Sequence, residues 1–139
     1  HGRHGKDSGA TPIIPRIADS LKNNEQFVLN GRNYNTPDGT CIRDYVHVCD
    51  IARAHRLAVE NPTQSQPYNL GSSTGLSNLD IINKAQSIIG KNLHWKYGEN
   101  RSGDPDILTA DTNAFYHETG WQPLWNIDDI ITHAWNWRV

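Results

Sequence analysis

The amino-acid sequence predicts an α/β protein, because helical and strand patterns alternate along the chain. Stretches with apolar residues every three or four positions predict amphipathic helices, and short β-branched or aromatic runs bounded by Gly, Pro or Asn predict strands. The length of 139 residues fits one compact domain. We therefore expect a single domain over residues 1–139. Residues 1–11 are polar and glycine-rich without periodicity, so we expect a flexible loop there.

The first predicted elements are a helix, a strand and a turn. The helix begins after Thr11 and ends at Asn23. Its apolar stripe has four members: Ile14, Ile17, Ala18 and Leu21. Residues 27–29 form an apolar run typical of a short strand. A turn follows, because Pro37 fixes its own φ and Gly39 accepts a positive φ.

The middle of the chain predicts two strands around a helix. Residues 43–48 alternate polar and apolar side chains, which indicates a strand. Asp50 is the expected N-cap of the next helix, which ends at Asn61. The stripe of that helix is Ile51, Ala54, Leu57 and Ala58. Residues 67–70 form the second predicted strand.

The next helix has both of its ends marked in the sequence. Ser77 and Asp80 have the spacing of a capping box, in which each side chain bonds the other residue's backbone amide. Gly90 is the expected C-terminal cap. Residues 93–97 alternate as a strand would.

Two helices complete the predicted fold. A short one begins at Asp111, continues through Phe115 and ends at Gly120. Asn126 and Asp129 open the last helix. Its apolar side is Ile127, Ile130, Ile131, Ala134 and Trp135.

Composition excludes several classes of function. With 13 basic and 15 acidic residues, the net charge of −2 gives no general attraction to nucleic acid or to a membrane surface. No apolar run reaches the length of a membrane span, so the expectation is a soluble, cytoplasmic protein. Cys41 and Cys49 are expected to be free thiols, and His1 and His4 lack the further ligands of a metal site.

The sequence also lacks the patterns of a dinucleotide site. No GxGxxG follows a strand, so there is no glycine-rich cradle for a pyrophosphate. None of the five tyrosines lies four residues before a lysine. We therefore expect these 139 residues to hold no cofactor themselves.

Four blocks of sequence carry a family resemblance. They are TPDGTCIRDYVHVCDIARAH at 36–55, YNLGSSTGLSNLDII at 68–82, RSGDPDILTAD at 101–111 and TGWQPLWNIDDII at 119–131. In their order and spacing they resemble UDP-glucose 4-epimerases, members of the extended short-chain dehydrogenase/reductase superfamily. The resemblance covers essentially the whole chain.

The resemblance implies a specific part of that family's fold and chemistry. In the family, a Rossmann domain holds NAD and a smaller carboxyl-terminal domain closes over a UDP-sugar. NAD takes a hydride from C4 of the sugar and returns it to the other face, while a YxxxK pair and a Ser/Thr assist. Those groups belong to the amino-terminal half. The resemblance therefore implies a mixed small substrate-binding domain plus the last strands and helix of a Rossmann sheet, with no catalytic residue and no activity of its own.

The same resemblance assigns residues to the diphosphate and the ribose. Arg43 and Arg101 match two diphosphate-binding arginines, a task that suits the planar, bidentate guanidinium. Asp104 matches a carboxylate that accepts hydrogen bonds from the ribose hydroxyls. The residues alone leave other roles open. The arginines could instead pair with Asp44 or Asp104, and Asp104 could form a turn before Pro105.

Further matches concern the base and its surroundings. Val28, Leu29 and Asn30 match the edge strand that faces uracil, although some members have an aromatic ring where Asn30 stands. Tyr45 lies close to a phosphate-binding arginine in the motif, and a packed strand tyrosine is an equal alternative. Leu108 replaces an aromatic that contacts the sugar in some members, so the resemblance does not specify the sugar.

Three hypotheses follow for the chain as a whole. The first is an epimerase portion that works with a separate Rossmann half, or self-associates through an exposed sheet edge formed by strands 43–48 and 67–70. The second is a free-standing module that binds UDP-sugar without converting it. The third is a degenerate remnant that keeps the fold and has lost the site.

Overall fold

The computed structural model describes residues 12–61 and 63–138. Its helices are α1 (Ile13–Asn23), α2 (Val48–Glu60), α3 (Asn78–Ile89), α4 (Asn113–Thr119) and α5 (Ile127–Arg138). Its strands are β1 (Phe27–Asn30), β2 (Ile42–Asp44), β3 (Gly75–Ser77), β4 (Trp95–Gly98) and β5 (Ile107–Leu108). The α/β expectation is confirmed. The loop expected at residues 1–11 lies outside the described residues.

The strands form two small sheets. β1 and β4 pair in parallel, with Leu29 opposite Tyr97. In the second sheet, β2 lies between β3 and β5 and pairs antiparallel with β3 and parallel with β5. This second sheet is therefore mixed.

Two clusters of buried residues hold the elements together. The larger lies among α1, α3, α5 and the β1–β4 sheet, and its fully buried members include Ile17, Ile81 and Ile131. The smaller cluster consists of Ala54, Phe115 and Trp121. Burial of an aliphatic or aromatic side chain contributes about 1.5–3 kcal/mol, so each stripe predicted from the sequence anchors its helix.

The helix ends confirm most of the predicted capping. Ser77 and Asp80 form the reciprocal capping box of α3. The Asn126 side chain accepts from the backbone N–H of Asp129 at 3.0 Å, and the Asp129 carboxylate accepts from that of Asn126 at 3.0 Å. Gly90 ends α3 with a φ of 70°. Local side-chain chemistry therefore predicted these boundaries correctly.

The region 43–48 differs from its prediction. The strand ends at Asp44 rather than continuing to residue 48, and the N-cap of α2 is His47 rather than Asp50. His47 Nδ1 accepts from the Cys49 N–H at 3.0 Å. Asp50 lies inside the first turn, where its buried carboxylate binds other backbone amides. The alternation at 43–48 therefore came from a short strand followed by a cap.

Two other strand predictions need correction. Residues 67–70 are not a strand, although they lie in the described part of the chain. The strand predicted at 93–97 begins two residues later, as β4. β3 and β5 were not predicted. Both are at most three residues long, too short for a period of two to be recognised.

Candidate functional site

A pocket of about 250 Å³ lies between α1, β1, β2 and the 101–104 loop. All seven residues assigned from the resemblance line it: Val28, Leu29, Asn30, Arg43, Tyr45, Arg101 and Asp104. These residues come from three segments, of which the first and the last lie more than 70 positions apart in the sequence. The fold thus brings together what the separate motifs had indicated one at a time.

Strand β1 forms one wall of the pocket. Its residues alternate, with Phe27 and Leu29 buried in the core and Val28 and Asn30 half-buried. Leu29 is only 2% exposed, so it offers almost no surface to a ligand. Val28 and Asn30 are the two β1 residues whose side chains remain accessible, because successive residues of a strand point to opposite faces.

Asn30 holds Arg101 in a defined orientation. With its amide oxygen facing the guanidinium, Asn30 accepts from Arg101 Nε at 2.7 Å and from Nη2 at 3.0 Å. The Arg101 backbone N–H donates to the Tyr34 hydroxyl at 3.3 Å. Both ends of Arg101 are therefore held, and none of the ion pairs between described residues involves Arg101.

Arg43 is fixed by backbone carbonyls. Its Nη1 donates to the carbonyl oxygens of Ile42 and Pro105, each at 2.8 Å. Its Nη2 lies 3.8 Å from Asp104 Oδ1, which is a loose ion pair. The alternative partner Asp44 accepts instead from the backbone amides of Ser72, Ser73 and Ala110, at 2.8, 3.0 and 3.1 Å.

Asp104 lies in a tight turn as well as on the pocket. Its N–H donates to the Arg101 carbonyl at 3.3 Å, across a turn in which Gly103 has a φ of +83°. Its side chain is 37% exposed. Turn formation and an accessible acceptor group therefore coexist at this residue.

Tyr45 packs at the pocket's edge against the larger core cluster. Burial raises the pKa of its hydroxyl well above the usual value, against the nearby Arg43 charge, which lowers it. The hydroxyl lies 3.5 Å from Asn78 Oδ1, at the limit of a hydrogen bond. Tyr45 thus stays protonated and can donate a hydrogen bond, while its ring serves packing.

Sequence reasoning missed six pocket-lining residues: Pro12, Ile13, Arg16, Phe27, Cys41 and Asn78. Arg16 is the most consequential because it adds a third guanidinium. It precedes Ile17 on α1, at the flank of the apolar stripe, where a helical period ordinarily predicts a solvent-exposed arginine. Neither the helical period nor the four blocks of family resemblance, which begin at residue 36, indicated that Arg16 lines the pocket.

Side chains cap the N-termini of three of the described helices. His47, Ser77 and Asn126 cap α2, α3 and α5. The N-termini of α1 and α4 have no side-chain cap. In residues 12–61 and 63–138, no group of three or more His, Cys, Asp or Glu side chains could hold a metal ion. No helix in those ranges has the length and apolar character needed to cross a membrane.

Comparison with known proteins defines the class. The model of the NAD dependent epimerase/dehydratase family matches residues 1–71, about half of the chain. The chain belongs to this family. It is 41% identical to a UDP-glucose 4-epimerase of Streptococcus mutans, over 97% of this chain and 41% of that protein.

Solved structures agree with the sequence relatives. The UDP-glucose 4-epimerase of Bifidobacterium longum, in complex with NAD+ and UDP, matches with a TM-score of 0.88 and 30% identity, over 99% of this chain and 44% of that chain. The Brucella ovis UDP-glucose 4-epimerase, in complex with NAD, matches with a TM-score of 0.85 and 35% identity, over 97% and 43%. The chain thus spans about two fifths of the length of these relatives.

Proposed function

We propose that this chain is the UDP-sugar-binding portion of a UDP-glucose 4-epimerase-like protein, folded as one domain over residues 1–139. The observation that carries the proposal is the convergence of Arg43, Arg101 and Asp104 on one pocket of about 250 Å³. Two guanidiniums beside one accessible carboxylate match a diphosphate joined to a ribose. The sequence relatives support the same ligand class.

Different pocket residues suit the diphosphate, the ribose and the base of such a ligand. The guanidiniums of Arg43 and Arg101 can make charge-assisted hydrogen bonds to the diphosphate oxygens. Asp104, held only loosely by Arg43, can accept from the ribose hydroxyls. The base would then lie against Val28 and Asn30 on strand β1. Because Asn30 already orients Arg101, binding would require little rearrangement of that arginine.

We assign the redox step to a region that binds NAD and supplies a Tyr/Lys pair. The 139 residues have no tyrosine four positions before a lysine and no GxGxxG motif. When bound elsewhere, NAD would accept and return the sugar's hydride. The role proposed for this chain is to hold the UDP portion so that the sugar is presented to that region.

Titration calorimetry with UDP-glucose and with UDP tests the binding site. Arg43→Ala or Arg101→Ala should each weaken binding by about 1.5–3 kcal/mol, roughly 10- to 150-fold, because a hydrogen bond to a charged group is lost. Arg56→Ala is the matched control: Arg56 is exposed on α2 and pairs with Glu60 at 3.4 Å, away from the pocket. If no binding is detected up to millimolar ligand, the proposal is contradicted and the hypothesis of a remnant that keeps the fold without the site remains.

A second experiment separates an epimerase portion from a free-standing binding module. The chain is mixed with the NAD-binding half of a related epimerase, and conversion of UDP-galactose to UDP-glucose is followed. Activity that requires both pieces and disappears with Arg43→Ala supports the epimerase portion. Tight UDP-sugar binding without a complex or turnover supports the module instead. Light scattering of the chain alone measures any self-association. Residues 67–70 are not a strand, so they do not form the exposed sheet edge that was expected to mediate it.

A further inference from the structure

We propose that Arg16 is a third anion-recognising residue of the pocket and that it increases the pocket's preference for ligands carrying phosphate. The proposal deepens the proposed function and rests on it, since it concerns the same site. Arg16 lines the pocket together with Arg43 and Arg101, from helix α1 rather than from the sheet or the 101–104 loop. Three arginines from three different segments of the chain thus line the pocket.

Two contacts fix the position of the Arg16 guanidinium. Its Nη2 donates to the Val28 carbonyl at 3.0 Å, and its central carbon lies 4.8 Å from the centre of the Phe27 ring. A guanidinium has five N–H donors, and the Val28 carbonyl engages one nitrogen. The side chain is thus held against the β1 wall with donors left for a ligand.

The charge of Arg16 is only partly compensated. Burial lowers its pKa, and the nearby positive charge of Arg101 lowers it further, although an arginine remains protonated at physiological pH. Among the ion pairs between described residues, Arg16 takes part in none. Asp104 is the one carboxylate among the described pocket-lining residues, and it lies toward Arg43.

This excess of positive charge gives the pocket a preference that depends on ligand charge. In the empty pocket, Arg16 and Arg101 repel each other in surroundings that water screens incompletely. A doubly charged diphosphate between them would replace that repulsion by attraction. A neutral nucleoside, whose base would lie at the same β1 wall, carries no charge that Arg16 could attract. Arg16 should therefore contribute to the binding of UDP much more than to that of uridine.

A purely structural role for Arg16 predicts a different outcome. If Arg16 only fastens α1 to β1, its loss would disturb Val28 and weaken every ligand equally. Two variants separate the roles. Arg16→Lys keeps the positive charge, whereas Arg16→Gln keeps a hydrogen-bond donor and part of the stem but removes the charge. Arg56→Gln on the exposed face of α2 is the control for loss of one positive charge.

The test is calorimetric titration of the full chain and these variants with uridine, UMP, UDP and inorganic pyrophosphate, with thermal melting as a check on folding. We expect Arg16→Gln to weaken UDP and pyrophosphate about tenfold, uridine less than twofold, and Arg16→Lys to retain most of the affinity. Equal losses for uridine and UDP, or an unchanged affinity for UDP and pyrophosphate, would overturn the assignment.

The outcomes also distinguish the inference from the function on which it rests. Arg16-dependent binding of pyrophosphate without any gain from the uridine portion would support the anion role and contradict the nucleotide-sugar function. UDP binding that responds to Arg43→Ala but not to Arg16→Gln would contradict only the inference. A chain that binds neither UDP nor pyrophosphate would contradict both.

Discussion

Replacing Asp50 should destabilise the protein more than any surface carboxylate would. Asp50 is fully buried in the first turn of α2. Its carboxylate accepts from the backbone N–H of Leu124, at 3.0 and 3.1 Å, and from that of Trp125, at 3.1 Å. Arg53 Nη2 lies 3.1 Å away. One side chain therefore connects α2 to the segment that leads into α5.

The expected loss of stability follows from the hydrogen-bond donors that would be left without the Asp50 carboxylate. Asp50→Ala removes the acceptor of two backbone amides and the partner of a half-buried guanidinium. Removing one member of such a buried charged network costs about 3–5 kcal/mol. Asp50→Asn keeps one acceptor oxygen but turns an NH₂ group toward donors, so we expect about 1–3 kcal/mol, the cost of leaving a buried donor unsatisfied.

The assay is urea unfolding followed by tryptophan fluorescence and circular dichroism at neutral pH. Asp128→Asn is the control, because the Asp128 pair with Lys84 is exposed and should contribute about 0–1 kcal/mol. An equal loss of unfolding free energy in Asp50→Ala and Asp128→Asn would contradict this role of Asp50. An Asp50→Ala variant as stable as the unsubstituted chain would contradict it as well.

The pH dependence of the same contact gives a second check. Burial would raise the pKa of Asp50, but the hydrogen bonds from Leu124, Trp125 and Arg53 outweigh it and bring the pKa below the ordinary value of 3.8. A lowered folded-state pKa means that the stabilisation is present above pH 3.8 and is lost as the pH falls through the folded-state value. Asp50→Asn should therefore flatten the acid limb of the stability curve.

Two further predictions concern a histidine and a glycine. Burial and the His133 charge lower the pKa of His47 from 6.5, against Asp50 and Asp129, which raise it. The stabilisation that neutral His47 gives the fold is therefore present above pH 6.5 and is lost as the pH falls. His47→Asn keeps a cap acceptor and should reduce the difference between the urea midpoints at pH 7 and pH 5. Gly39→Ala should destabilise the fold by more than the roughly 1–2 kcal/mol that a left-handed conformation costs a residue with a Cβ. At φ +77° the added Cβ would lie 2.3 Å from a backbone oxygen. Gly103→Ala, at φ +83° with open space around it, is the control whose melting temperature shows the conformational cost alone.

The parts of the fold that the sequence predicted are those decided by nearby residues. A capping box such as Ser77 and Asp80 is complete within four positions, so its chemistry is visible in the sequence. The turn at Gly39 is equally local, and its N–H donates to the Thr36 carbonyl at 3.2 Å. Helix stripes are local for the same reason, because their period repeats within one element.

The strand boundaries at 43–48 and 67–70 could not be determined from local sequence, because strand pairing depends on residues elsewhere in the chain. β2 is only three residues long, and its neighbours are β3 and β5, at residues 75–77 and 107–108. No pattern within residues 43–48 reveals where those partners begin or end. Residues 67–70 have the composition of a strand but pair with no strand in the described part of the chain. Composition alone therefore could not determine either boundary.

The site itself depended on resemblance for seven residues and on the structure for Arg16. Arg43 shows why a motif and a fold are both needed. On β2, Arg43 lies toward the pocket, and the next residue, Asp44, points to the other face, since side chains alternate along a strand. There the Asp44 carboxylate accepts from Ser72, Ser73 and Ala110. An alanine Cβ at Gly71 would lie 2.4 Å from Asp44 Oδ2, so only glycine permits this close approach. The Asp44 carboxylate thus helps to hold a three-residue strand in the register that directs Arg43 toward the pocket.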